Sequence, residues 1–196
     1  MEAGALSGGK SVIEHVVFLL EEPSAEDFLR GLLPLWLPSG MTPHFLVFEG
    51  KQDLERQLTR RLKGWMRPHS RFVVLRDQDS GDCRLIKQHL RSLCEASGKA
   101  EAIVRIACRE LESFFIGDWH AVADAFAKPN LAANARKSKY RVPDAIGSPS
   151  GELQRALPTY QKRDGARRIA PLLMPDRNRS ASFQALYRSL LQLSYA

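Results

Sequence analysis

Acidic side chains follow three successive apolar runs. Residues 15–20 lead into Glu21-Glu22, residues 44–48 into Glu49, and residues 71–76 into Asp77-Gln78-Asp79, with Asp82 just beyond. Carboxylates gathered in one place repel one another, and a divalent cation is the usual reason for a protein to tolerate the crowding. Magnesium takes oxygen ligands and keeps several waters, so one or two carboxylates per ion suffice. Two such ions roughly 3.5–4 Å apart clamp the attacking and leaving oxygens of a phosphoryl displacement. Glu21, Asp77 and Asp79 therefore offer metal-assisted chemistry at a phosphate ester, with Asp82 either a further ligand or a helix cap.

These acids meet only if the runs are parallel strands. Val16-Val17-Phe18-Leu19-Leu20 has the form of a buried strand, stopped by Pro23. Ser24 is the expected N-cap of a helix carrying Phe28, Leu29, Leu32 and Leu33, closed by Pro34 and Pro38. Phe45–Phe48 is a second strand, followed after Gly50 by a helix with Leu54, Leu58 and Leu62 at helical spacing. Phe72–Leu75 is a third strand, Leu85–Cys94 a third helix ended by Gly98, and Ala102–Ile106 a fourth strand. Strand alternating with helix implies right-handed crossovers and a parallel sheet, whose ligands sit outside the carboxyl ends of the strands. The stretch Arg109–Phe115 fits helix or strand, and Asp118 is placed to cap a helix over Val122–Phe126. Residues 128–150 read as an exposed loop, with helices returning at about 152–157, 164–173 and 180–193, the last capped by Ser180.

The chain of 196 residues fits one domain that needs no disulfide or metal staple to fold. Cys83, Cys94 and Cys108 are odd in number and lack metal-type spacing, as expected of small hydrophobes in a reducing compartment. No apolar stretch reaches membrane-spanning length, and the short run after Glu14-His15 is no signal peptide, so a cytoplasmic location is expected. The net charge of +7 is uneven: residues 128–179 hold 12 Lys or Arg against 4 Asp or Glu. That excess suits a polyanionic partner, held by a basic part while an acidic part carries metal; it equally suits a merely solvated surface.

An acid after the first strand with an Asp-x-Asp after the third resembles the TOPRIM domain of topoisomerases, primases and OLD-family nucleases. The segments LLEEPSAEDFLRGLLP (19–34), FEGKQDL (48–54), VVLRDQDSGDC (73–83), RIACRELESFFIGDW (105–119), YQKRDGARRIAP (160–171) and NRSASF (178–183) resemble a narrower bacterial TOPRIM-like domain-of-unknown-function family. That resemblance covers nearly the whole chain. It implies a TOPRIM-like (Rossmann-like) α/β core of about four parallel strands over residues 10–127, with a basic, mainly helical extension over 128–196. It also implies a nuclease dependent on Mg2+ or Mn2+, encoded beside an AAA/ABC-type ATPase partner in phage-defence loci.

Residue by residue, Glu21 takes the place of the TOPRIM glutamate, a metal ligand or general base, and Asp77 and Asp79 take that of the metal-binding Asp-x-Asp. TOPRIM proteins often place Gly after the first acid where Glu22 stands here, which leaves open which glutamate enters the site. The resemblance also implies function at Glu110 or Glu112, and Glu110 is taken as the further metal ligand. On a strand the two would share a face; on a helix they lie about 200° apart. Lys51, Lys162, Arg167, Arg168 and Asn178 are the candidate contacts to nucleic-acid phosphates, with Lys162 also placed to stabilise charge on a transferred phosphate.

Other classes fit less well. A phospho-receiver domain shares the acid placement, yet the fourth run ends Ile106-Ala107-Cys108 without the hydroxyl residue it needs. His15, His44, His69, His89 and His120 adjoin no Ser or Cys elbow, and no Walker-type loop supports an ATPase. A non-catalytic TOPRIM-like scaffold for an ATPase or nucleic acid remains the alternative.

Overall fold

The computed structural model describes residues 13–193. Four strands form one parallel sheet: β1 (His15–Leu20), β2 (Thr42–Val47), β3 (Ser70–Asp77) and β4 (Ile103–Ala107). Their order is β2-β1-β3-β4. The chain steps from β1 to one side, then returns across it to build the other side, so the crossover direction reverses between β1 and β3. In an open α/β sheet that reversal opens a crevice at the strands' carboxyl ends. Leu20 pairs with Leu75 in register, so Glu21 follows β1 beside Arg76, and Asp77 ends β3 one residue further on, paired with Ala107.

Two apolar clusters sandwich the sheet because alternate strand residues face opposite ways. Val16, Phe18, Leu20, Val73 and Leu75 meet helix α1 (Pro23–Trp36) through Phe28, Leu29 and Leu32. Val17, Leu19, Phe72 and Val74 meet α2 (Lys51–Lys63) and α3 (Cys83–Ala96) through Leu54, Leu58, Leu62, Leu90 and Cys94. Each such side chain contributes about 1.5–3 kcal/mol when fully buried. Burial pushes the Cys94 thiol up to about 11, which fits a small apolar residue; Cys83 and Cys108 are half-buried and free.

The C-terminal part does not form its own core. Helices α4 (Glu112–Ile116), α5 (Trp119–Ala125), α6 (Pro149–Ala156), α7 (Lys162–Ile169) and α8 (Ala181–Gln192) bury Phe114, Trp119, Leu153, Ile169, Phe183 and Leu186 in the cluster that holds Val16 and Phe18. The expected division at residue 127 thus separates sequence regions that share one apolar interior. Both of its outer ends, 10–12 and 194–196, lie outside the described residues.

Local chemistry accounts for where the elements differ from expectation. Helix α1 starts at Pro23 with Glu22 at the N-cap, because proline's fixed φ suits the first helical position; Ser24 instead donates its hydroxyl to Glu22. Pro34 lies within the final turn and does not stop the helix before Trp36. Residues 128–150 are largely exposed, as expected, but carry three 3-10 segments, Pro129–Arg136, Ser138–Tyr140 and Pro143–Ala145, anchored by buried Leu131 and Tyr140. Asp118 and Ser180 do cap α5 and α8, accepting from the Ala121 and Phe183 amides. No helix among the described residues is long and apolar enough to cross a membrane.

Candidate active site

The β1–β3 crevice is built from backbone outward. The Asp77 amide donates to Glu21 Oε2 at 3.0 Å, and Arg76 Nε lies 3.8 Å from the same oxygen. Arg76 is a buried guanidinium at the end of an apolar strand, and it also pairs with Glu55 on α2. Gly50, with φ of 91°, turns the chain so that its amide reaches the Glu21 carbonyl at 3.0 Å before α2 begins. An L side chain rarely adopts that backbone conformation.

Asp79 and Arg109 both occupy the left-handed region, at φ 54° and 65°. They hold each other there: the Asp79 amide donates to the Arg109 carbonyl at 2.8 Å, and the Arg109 guanidinium returns a bond to the Asp79 carbonyl at 3.3 Å. Gln78 Oε1 accepts from the Arg109 amide at 3.2 Å. Backbone held in this way costs of order 1–3 kcal/mol per residue and is concentrated at functional sites. Its result is to turn the Asp79 carboxylate toward Lys51, whose ammonium lies 2.7 Å away.

A second group of charges surrounds Asp77. Burial, then the carboxylates of Glu22, Glu112 and Glu21, hold its carboxyl well above the usual range, only partly offset by Lys162. Burial likewise raises Glu21, against the Asp77 amide bond that lowers it, and raises Glu112, against Lys162. Lys162, the first residue of α7, lies 3.7 Å from Glu22. Burial would lower its affinity for the proton, but Glu112, Glu22, Asp77 and Glu110 outweigh that and raise it.

Three predicted site residues are placed in supporting roles. Asp82 is the N-cap of α3, its Oδ1 accepting from the Arg84 and Leu85 amides at 2.7 and 3.2 Å. Glu110 lies in a bend, on neither the strand nor the helix considered, and its Oε2 accepts from the Ser150 amide at 2.7 Å in the first turn of α6. Asn178 is no surface contact: it is buried, donating to the Phe114 carbonyl at 2.8 Å and accepting from the Ser180 amide at 2.9 Å. Its Oδ1 packs so closely on Gly117 that a Cβ there would stand 2.1 Å away. Two stability effects are expected in urea denaturation. Asp82→Ala loses about 1 kcal/mol of capping, and Asn178→Ala loses roughly 1–3 kcal/mol by leaving buried backbone groups unpaired.

The basic candidates divide in the same way. Arg168 is held on the Ala125 carbonyl, beside Asp164 and over the Phe126 ring. Arg167 is exposed on α7, and Lys51 and Lys162 flank the carboxylates from opposite halves of the chain. Glu22 and Glu112, each weighed against a neighbouring glutamate in the sequence, join the neighbourhood, and Arg76 and Tyr160 complete it without having been singled out. Arg76 carried a legible signal, a charge at the end of a strand otherwise apolar.

Among the described residues no three His, Cys, Asp or Glu side chains close into a ready metal cluster. Magnesium does not require one, since one or two carboxylates with waters are its common protein share. The donors are hard oxygens, they repel one another, and Glu112 Oε2 is buried without a hydrogen-bond partner. The residues present therefore fit a small divalent cation.

A doubly wound parallel α/β sheet with carboxylates at its switch point defines the class of the protein. Its sequence matches the model of the family described as "Domain of unknown function (DUF4276)" over residues 20–191, and the chain belongs to that family. No curated protein and no solved structure matches it.

Proposed function

We propose that this protein is a TOPRIM-like nuclease that hydrolyses phosphodiester bonds of DNA or RNA with Mg2+ or Mn2+. One observation carries the proposal: Asp77 ends β3 at the switch point with its amide bonded to the Glu21 carboxylate, and burial with the charges of Glu22, Glu112 and Glu21 raises its pKa, a burden that a cation would relieve. Bound there, the ion would supply Lewis acidity and lower the pKa of a coordinated water. Asp77 is the central ligand, and Asp79, the second acid of the Asp-x-Asp, becomes available to the reaction once Lys51 moves to the phosphate. Glu21, held by the Asp77 amide and with a raised pKa, is poised to accept a proton. Lys162 and Lys51 bring ammonium groups to the two sides of the carboxylates, where they stabilise charge developing on phosphoryl oxygens.

Arg167 and the exposed Lys128, Arg136, Lys137 and Arg141 give the C-terminal surface its basic character and suit sequence-independent phosphate contact. Working with an AAA/ABC-type ATPase as the effector of a two-component anti-phage system in the cytoplasm is part of the same proposal and rests on the TOPRIM-like resemblance.

The test is incubation of the purified chain with DNA and RNA in Mg2+, in Mn2+ and in EDTA. Cleavage in either metal and none in EDTA is expected; no cleavage alone or with the ATPase partner overturns the proposal. The alternative, a non-catalytic scaffold, draws on the lack of a closed three-ligand set among the described residues. It predicts that Asp77→Ala leaves the biological effect intact.

A further inference from the structure

We infer that the cavity between the start of α5 and the loop before α8 is a second ligand site, one that takes the phosphate of a mononucleotide. Its residues are not those of the β1–β3 crevice, and the inference does not rest on the nuclease proposal. The cavity holds about 300 Å³, the size at which small-molecule sites begin.

Two guanidiniums in its wall come from one pinned loop. Buried Asn178 donates to the Phe114 carbonyl at 2.8 Å, and the Arg179 amide donates to the Gly117 carbonyl at 3.1 Å. The backbone that carries both arginines is therefore fixed against the end of α4. Asp118, its side chain wholly buried, orients Arg177: Nε and Nη2 both donate to its Oδ2, at 3.3 and 3.1 Å. Arg179 is oriented by the Ala135 carbonyl, which accepts from its Nη1 at 2.8 Å. A guanidinium carries five N–H donors, so each arginine is held by part of its fork and has donors left over. Both line the cavity. Such planar forks match the oxygens of a phosphate group.

Trp119 lines the same cavity, and its indole N–H is buried without an acceptor. Buried donors are ordinarily satisfied and an exception needs a reason, which an oxygen-rich ligand supplies. His120, exposed in the same wall, adds a ring N–H. Asp176 also lines the cavity and opposes a bare anion. It favours a ligand that carries hydroxyl donors beside its phosphate, as the ribose of a nucleotide does. A phosphate of this kind could reach the site on a free nucleotide or within a nucleic-acid backbone, and the small cavity selects the first.

The test is calorimetric titration of the full chain in EDTA, where metal-dependent cleavage is silent, with AMP, inorganic phosphate and an oligothymidylate lacking a terminal phosphate. AMP should bind at least about tenfold more tightly than inorganic phosphate. Arg179→Gln alters an exposed side chain and should weaken AMP binding at least about tenfold, the scale of one lost charge-assisted hydrogen bond. Lys63→Gln, on α2, should stay within about twofold of wild type. In nitrogen–proton correlation spectra AMP should shift the Trp119 indole signal, identified by its loss in Trp119→Phe, and leave those of Trp36 and Trp65 in place. No AMP binding by wild type, or wild-type affinity in Arg179→Gln, overturns the inference and leaves the nuclease proposal standing. Tighter binding of the oligothymidylate than of AMP, lost in Arg179→Gln, overturns the mononucleotide assignment in favour of a nucleic-acid phosphate. If Arg179→Gln melts lower than wild type, the indole signal decides, and no shift there overturns the inference.

Discussion

Asp77→Asn is expected to reduce metal-dependent cleavage by at least about 10²–10³-fold, the scale of loss when one electrostatic contributor at a reacting centre is removed. Asn is nearly isosteric and leaves the backbone amide that holds Glu21 in place. The side chain loses the charge that draws a cation, and the site loses little of its shape. Asp79→Asn should cost less, because that carboxylate is already committed to Lys51 and reaches a phosphate only when the pair opens. Initial rates on one oligonucleotide at saturating Mg2+, with both variants shown to be folded, measure the difference. Equal losses would mean that the two aspartates share the cation evenly.

The same substitution should stabilise the protein in EDTA. Burial and the neighbouring carboxylates raise the Asp77 carboxyl above its ordinary 3.8 in the folded chain. Between 3.8 and that raised value the folded state holds a proton that the unfolded state has released. Stability therefore falls as pH rises through this window, because the unfolded state binds fewer protons there. Every pH unit that the window spans corresponds to about 1.4 kcal/mol, and 1 kcal/mol moves the melting temperature of a chain this size by roughly 2–4 °C. Asp77→Asn should thus melt above wild type at neutral pH without metal, the gap closing as pH falls toward 3.8. Glu21 and Glu112, also raised, act in the same direction. Added Mn2+ should reverse the ranking, since only wild type gains from the ion. Melting curves from pH 4 to 8, with and without Mn2+, check both halves.

Much of this arrangement was legible in the sequence because it is written in short-range pattern. Apolar runs such as Val16–Leu20 and Phe72–Leu75 can hardly be anything but buried strands, and alternation with helices forces parallel order. Given that order, Glu21 and Asp77 lie at the same end of neighbouring strands, one residue out of register. The roles of individual polar residues were less legible, because they depend on partners far away along the chain. Glu110 meets Ser150, Asn178 meets Phe114, and Glu112 meets Tyr160, pairings that no local spacing encodes. Residues 128–150 misled for a related reason. Their Asn, Ser, Pro and Lys content reads as solvent-exposed, and most of these residues are, while Leu131 and Tyr140 anchor the segment to the core by tertiary contact.

Manganese-edge anomalous diffraction from crystals of the wild-type chain soaked in Mn2+ decides whether Asp77 holds the cation. A peak is expected in the β1–β3 crevice, within bonding distance of an Asp77 carboxylate oxygen and absent from Asp77→Asn crystals. Full soaking with no ion at Asp77, or a peak unchanged by that substitution, would refute the assignment.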